Sequence, residues 1–268
     1  MMEWATVTLS RMNRPSVTSQ AVALTRARLD RPHSREVDPS AQDALCTGML
    51  LSSPEWLRPG IAARTKFVDT HVERAISAGL RQVVICGAGY DDRALRFRTA
   101  GVRFIELDHP ATEADKARLL KDLGAGEPGV TLASVDFRTD DVVTVLVGAG
   151  HHAAEPSLFV VEGLLVYLDR PTCELLLAAL AERAAPGSVL AVSLATHADG
   201  HDSAVVVAAA NGRRRTAAAE PWQTILPVAE HLALLTDAGW RVIGTEWSPV
   251  AAADVSYGRR SLLVTART

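Results

Sequence analysis

From residue 81 onward, short apolar runs alternate with amphipathic stretches. QVVIC, VRFIELD, VTLASVD, SLFVVEG and SVLAVSLA are strand-length runs, and most are apolar on both faces, as strands buried between two helical layers must be. Between them DDRALRFRT, Pro110 to about Leu123, DDVVTVLVG and RPTCELLLAALAERA predict helices, with acids or proline where helices start and Pro186-Gly187 ending the last. Upstream, Gln20–Leu29, Ala41–Leu51 and Ile61–Ala78 predict three more helices, the third beginning after Pro59-Gly60 and stopping at Gly79. The breaker stretch DRPHSREVDPS separates the first two.

The alternation ends near the C-terminus. After a helix over Val228–Ala238, WRVIGTEW and RSLLVTA are two strands joined by about a dozen loop-like residues with no helical period. A parallel crossover needs a connection of roughly a dozen or more residues, usually a helix, so these two strands are expected to be antiparallel. The predicted fold is α/β: a mostly parallel Rossmann-like sheet closed by one antiparallel C-terminal strand. Such a closing strand separates class I methyltransferases from nicotinamide dehydrogenases of similar architecture. Residues 1–80 are expected to form a helical N-terminal cap on a core of residues 81–268, with a lid insertion at about 196–225.

Composition narrows the class. The 268 residues are 48% hydrophobic and 22% charged with a formal net charge of −3, ordinary globular values that suggest no nucleic-acid surface. Apolar runs such as Ala204–Ala210 are far too short to span a bilayer, and MMEWATVTLSRMN lacks the apolar run of a secretory signal. Cys46, Cys86 and Cys173 are an odd number at unrelated spacings, which suits reduced thiols in a cytoplasmic protein better than a disulfide framework or a zinc site.

Chemistry concentrates in VVICGAGYDD. Gly87 and Gly89 would let backbone approach a ligand at the carboxyl end of the first strand, where open α/β sheets bind ligands. In a dinucleotide fold the third glycine of the loop sits beside a pyrophosphate; here Asp92 holds that place with Asp91 beside it. Two carboxylates would repel a pyrophosphate but are compatible with a cationic ligand such as the methionine part of S-adenosylmethionine. Asp91 equally suits a helix cap. Glu106 and Asp108 end the next strand about twenty residues after the first glycine, the spacing of an acid that accepts ribose hydroxyls.

ARTKFVDTHV, VVICGAGYDDRALRF, FIELDHP, SVDFR and VVEGLLVYL, in this order over roughly residues 60–195, resemble the leucine carboxyl methyltransferase family. That family includes the enzyme methylating the C-terminal carboxylate of protein phosphatase 2A and bacterial polyketide carboxyl O-methyltransferases, among them one of the tetracenomycin pathway. The resemblance implies S-adenosyl-L-methionine as cofactor and assigns its contacts by position. Arg64 would grip the methionine carboxylate and Gly87 would belong to the cofactor loop. Asp108 would bind ribose, with Glu106 on the same strand face. Asp136 and Phe137 would hold the adenine, and Glu162 would lie near the methionine ammonium. The phosphatase-methylating branch also uses a lysine near the chain start, yet residues 1–55 contain no Lys. A small-molecule acceptor is therefore expected.

A carboxylate acceptor is already ionised at pH 7 and needs no general base, whereas a phenol would benefit from one. His109, His197 and His201 follow predicted strands and are the candidate bases; Tyr167 and Trp222 are candidates to line the pocket. Arg213, Arg214 and Arg215 either attract an acidic substrate or form a solvated charge run. The reading is a metal-independent O-methyltransferase acting on a small acidic natural product. The alternatives are phenol methylation with a histidine base, a ligand-binding protein on a degenerate methyltransferase fold, and a nicotinamide oxidoreductase, which Asp91-Asp92 and the terminal hairpin disfavour.

Overall fold

The computed structural model describes residues 14–33, 41–50, 53–122, 130–214, 220–249 and 256–268. Among the described residues eight strands form one sheet: β1 (Gln82–Cys86), β2 (Arg103–Asp108), β3 (Val130–Ser134), β4 (Ser157–Val161), β5 (Val189–His197), β6 (Leu226–Pro227), β7 (Arg241–Trp247) and β8 (Arg260–Arg267). Their order is β3-β2-β1-β4-β5-β8-β7, with the two-residue β6 beside the end of β5. The pairs among β1 to β5 are parallel, while β8 runs antiparallel to both neighbours. The hairpin expected from the missing crossover helix thus closes the sheet. Strand order reverses between β1 and β4, and a crevice opens there at the carboxyl ends of the strands.

Helices cover both faces. α1 (Val17–Arg26), α2 (Ala41–Leu45) and α3 (Arg58–Ser77) precede the sheet; α4 (Arg93–Arg96), α5 (Pro110–Asp122), α6 (Val142–Gly148) and α7 (Arg170–Glu182) cross between its parallel strands. α8 (Ser203–Asn211) follows β5, and α9 (Val228–Asp237) leads into β7. On one face Phe67, Val68, Val72 and Ala75 of α3 pack on Val83, Ile85, Phe104 and Leu158. On the other, α6, α7 and α9 contribute Leu146, Leu176, Leu180 and Leu235 to the larger core. α3 is therefore a sheet-covering helix, while α1 and α2 pack with Tyr90, Leu95 and α5 in a smaller cluster.

Several helix ends differ from expectation; α1 spans Val17–Arg26, three residues earlier than Gln20–Leu29. α3 begins at Arg58, before Pro59-Gly60, because proline is tolerated in a first turn where its missing N–H costs nothing. α2 stops at Leu45; residue 51 lies outside the described residues. DDRALRFRT yields only the four residues of α4, since the Asp91 and Asp92 side chains are taken up by buried ion pairs and Phe97 leaves helical geometry to enter the core.

Trp240 anchors the larger core. It is buried, donates from Nε1 to the Leu177 carbonyl at 3.0 Å and meets Phe159 edge-on with ring centroids 5.9 Å apart. Trp240→Ala should lower the unfolding free energy by about 3–5 kcal/mol, read from the shift of the denaturant midpoint at unchanged slope.

Candidate active site

A cavity of about 590 Å³ lies at the strand-order reversal, lined by the ends of β1, β2 and β4, by residues after β3, by α1 and by Glu220-Pro221. Its floor is a buried ion-pair network. Glu162, one residue past β4, meets three guanidinium groups: Arg26 Nη2 at 2.7 Å, Arg93 Nη1 at 2.9 Å and Arg64 Nε at 3.1 Å. Asp91 meets Arg93 at 2.5 Å and Arg26 at 3.3 Å. Behind them Asp69 takes Arg93 and Arg96, and Asp92 takes Arg96 and Arg31. Five arginines share four carboxylates, leaving one positive charge under the cavity.

This network corrects the reason given above for the acids. Burial of Glu162 and Asp91 does not wait for a cationic ligand, because the protein itself supplies the cations. Asp92 does not line the cavity; it is fully buried between Arg31 and Arg96. Asp91 accepts the Arg93 backbone N–H at 2.8 Å, so it fills the position at the start of α4 that a pyrophosphate oxygen would need.

The other expected residues divide between wall and support. Gly87 and Gly89 have φ of +65° and +53°, a region open to glycine at little cost. Gly87 lines the cavity, but a Cβ there would meet Leu164 at 2.9 Å; one on Gly89 would meet Ser19 of α1 at 2.7 Å. These glycines thus allow close packing of Leu164 and α1. Gly89 does not line the cavity; its N–H instead holds Asp108 Oδ2 at 2.6 Å, while the His109 N–H holds Oδ1 at 2.7 Å. Asp108 is fixed with lone pairs to spare on a cavity wall, its pKa raised by burial against the pull of those two amides. Asp136, Phe137, Arg64, Glu162, His109 and Tyr167 also line the cavity.

Glu106 does not. It sits under α5 in a buried pair with Lys116, whose ammonium also donates to the Asp91 carbonyl at 2.5 Å. Burial raises the Glu106 pKa despite that lysine. His197 lies outside the cavity with both ring nitrogens engaged, Nδ1 by the Ala198 carbonyl and Nε2 by the Ser203 hydroxyl, each at 2.8 Å. His201 is exposed, with its ring against Tyr257. Of the three histidines only His109 reaches the cavity, beside Asp108. The insertion after β5 holds α8, capped by Asp202, and returns Glu220 over the cavity; Arg215 lies outside the described residues.

Sequence reasoning missed Arg26 and Glu220. Arg26 ends α1 and joins both Asp91 and Glu162. Glu220 accepts from the N–H groups of Val17 at 2.8 Å and Thr18 at 3.1 Å and from the Thr18 hydroxyl, so the insertion is fastened to the free amides at the start of α1. An isolated Glu in a loop and an Arg at a helix end carry no signal of such partners, which lie far away along the chain.

The leucine carboxyl methyltransferase family model matches residues 17–181. Two relatives carry the name "Putative S-adenosyl-L-methionine-dependent methyltransferase". One, from Streptomyces coelicolor, is 36% identical over 202 residues, covering 74% of this chain and 67% of its own length. The other, from a Parafrankia strain, is 36% identical over 199 residues, covering 72% of this chain and 62% of its own. Among solved structures, the magnesium protoporphyrin IX methyltransferase of Synechocystis with bound SAH superposes with a TM-score of 0.53. It is 14% identical and covers 85% of this chain and 94% of its own, a likeness of fold alone.

The Glu162 network carries a pH signature. Burial alone would raise the Glu162 pKa, but Arg26, Arg93 and Arg64 outweigh it and bring it from 4.5 to about 2. A carboxylate depressed in the folded state contributes stability above its unfolded pKa and loses it as pH falls toward the folded one. The contribution is about 3 kcal/mol. The denaturant midpoint should therefore drop between pH 5 and pH 3. Glu162→Gln should drop less over that range while starting lower at pH 7.

Proposed function

The chain belongs to the leucine carboxyl methyltransferase family of S-adenosylmethionine-dependent methyltransferases, and from that premise we propose that it methylates a carboxylate of a small acidic, polyketide-like molecule in the cytoplasm. The observation that carries the carboxylate reading is the state of the histidines. His197 is committed through both nitrogens, His201 is exposed outside the cavity, and His109 follows the end of β2, two strands across the sheet from Glu162 after β4. Among the described residues no histidine stands at the Glu162 end to deprotonate a phenol. A carboxylate at pH 7 needs no such base.

The cavity residues suit the cofactor. Asp108, held by two backbone amides, retains lone pairs for ribose hydroxyls. Phe137 and Asp136 offer an apolar face and an acceptor for adenine, and the surplus positive charge of the arginine network suits the methionine carboxylate, with Arg64 on the wall. When bound, S-adenosylmethionine supplies an electrophilic methyl group on a sulfonium. The protein's own contribution is alignment and exclusion of water, helped by the Glu220 strap over the cavity.

The test is the chemistry of the product. Enzyme, methyl-labelled S-adenosylmethionine and small acidic extracts should give a labelled product that releases methanol on mild alkaline hydrolysis, at a rate flat from pH 6 to 8. A base-stable product, with a rate that falls about 10²–10⁴-fold on His109→Gln, would establish a phenol acceptor instead.

A further inference from the structure

A second cavity, about 130 Å³, adjoins the first, and Arg64 and Gly163 line both. It runs between the start of α3, the end of β5, the start of β8 and the return of the insertion. Ile61, Val166, Leu194 and Ile225 give it apolar walls. Its arginines have other partners. Arg64 is paired with Glu162 at 3.1 Å, Arg260 lies 4.6 Å over the Trp247 ring, and Arg259 is engaged as well. The Ser193 hydroxyl accepts the Gly163 N–H at 2.8 Å, and the Thr196 hydroxyl donates to the Arg260 carbonyl at 3.1 Å.

Two neutral polar groups of this lining are left over. Ser248 is only 2% exposed and its Oγ has no hydrogen-bond partner; the buried Trp222 Nε1–H has none either. The indole can only donate, and the hydroxyl is free to donate. Buried donors left unsatisfied are costly, and a ligand atom with lone pairs removes that cost. With the arginines already partnered, the matching atom is neutral. A carbonyl-type oxygen accepts two hydrogen bonds and brings no charge that must be stripped of water.

Gly60 shows that room is kept in front of Ser248. It stands in the first turn of α3 and lines the cavity, and a Cβ there would meet the Ser248 Oγ at 3.7 Å. Alanine is the better helix former at such a position. The glycine therefore serves space in the cavity, at a small cost to the helix.

We propose that this second cavity is a specificity pocket for the non-reacting end of the methyl acceptor, a narrow apolar arm bearing a neutral carbonyl-type oxygen that accepts from Ser248 and Trp222. The arm is small, since the cavity holds roughly four water volumes. The proposal rests on methyl transfer and not on which oxygen receives the methyl group, so the alkaline lability of the product tests the carboxyl reading separately.

The test uses cyclopentanone and its oxygen-free counterpart cyclopentane with the full chain saturated with S-adenosylhomocysteine, binding being read by NMR. Cyclopentanone should shift the Trp222 indole N–H resonance, which is assigned by its loss in Trp222→Phe. Ser248→Ala removes a single oxygen and should weaken cyclopentanone about fivefold while changing cyclopentane less than about twofold. Gly60→Ala fills the space and should weaken both about tenfold, with S-adenosylhomocysteine affinity kept within about twofold and the unfolding midpoint unchanged or raised. In the methyl-transfer assay Gly60→Ala should lower the yield of labelled product from the same extract about fivefold or more. No binding of cyclopentanone, an indole resonance that stays in place, or equal effects of Ser248→Ala on ketone and hydrocarbon would each overturn the pocket. An unchanged yield of labelled product from a Gly60→Ala protein that no longer binds cyclopentanone would overturn its assignment to the acceptor.

Discussion

Burying Glu162 at the end of β4 is the constraint around which the rest of the site is arranged. A lone carboxylate in that position would be driven to its neutral form. It stays charged because three guanidinium groups converge on it from α1, α3 and α4. Two of those arginines are fixed in turn, Arg26 and Arg93 by Asp91 and Arg93 also by Asp69. A single charge thus couples an N-terminal helix, a sheet-covering helix and the turn after β1. Removing one of these arginines takes a close partner from a buried carboxylate, so the network is costly to break even where its net contribution to stability is modest.

The same network decides what the cavity can hold. A dinucleotide site leaves the amides at the start of its first helix free for a pyrophosphate. Here Asp91 takes the first of those amides and Arg93 neutralises the carboxylate, so the anion belongs to the protein. The cavity wall instead presents Asp108, held by the Gly89 and His109 amides, and the Arg64 guanidinium. Glu220, closing from the insertion onto the start of α1, makes the N-terminal helix part of the cavity wall.

Much of the fold was legible because it depends on local patterns. Double-faced apolar runs identify buried parallel strands, and the absence of a helical period between residues 248 and 259 leaves a hairpin as the simple connection between β7 and β8. Asp108 was expected at a strand end from its spacing and Glu162 from the family resemblance, and both line the cavity. Partnerships were not legible. Asp91 and Asp92 look alike in sequence, yet one lines the cavity and the other lies behind it, because Arg26 and Arg31 reach them from more than sixty positions away. Glu106 shares a strand face with Asp108, but α5 brings Lys116 over it and closes it off. His197 follows β5 as a catalytic base might, and only the hydroxyl of Ser203 and the carbonyl of Ala198 show that its nitrogens are already in use.

If the arginine network around Glu162 shapes the cofactor cavity, its charge governs cofactor affinity as well as stability. The direct measurement is calorimetric titration of S-adenosylhomocysteine into the wild-type protein and Glu162→Gln at pH 7, on samples shown to be folded by circular dichroism. With the carboxylate gone, Arg26, Arg64 and Arg93 lose their shared partner and repel one another, and affinity should fall at least tenfold, about 1.4 kcal/mol or more. A folded Glu162→Gln protein that binds S-adenosylhomocysteine as tightly as the wild type would contradict the account.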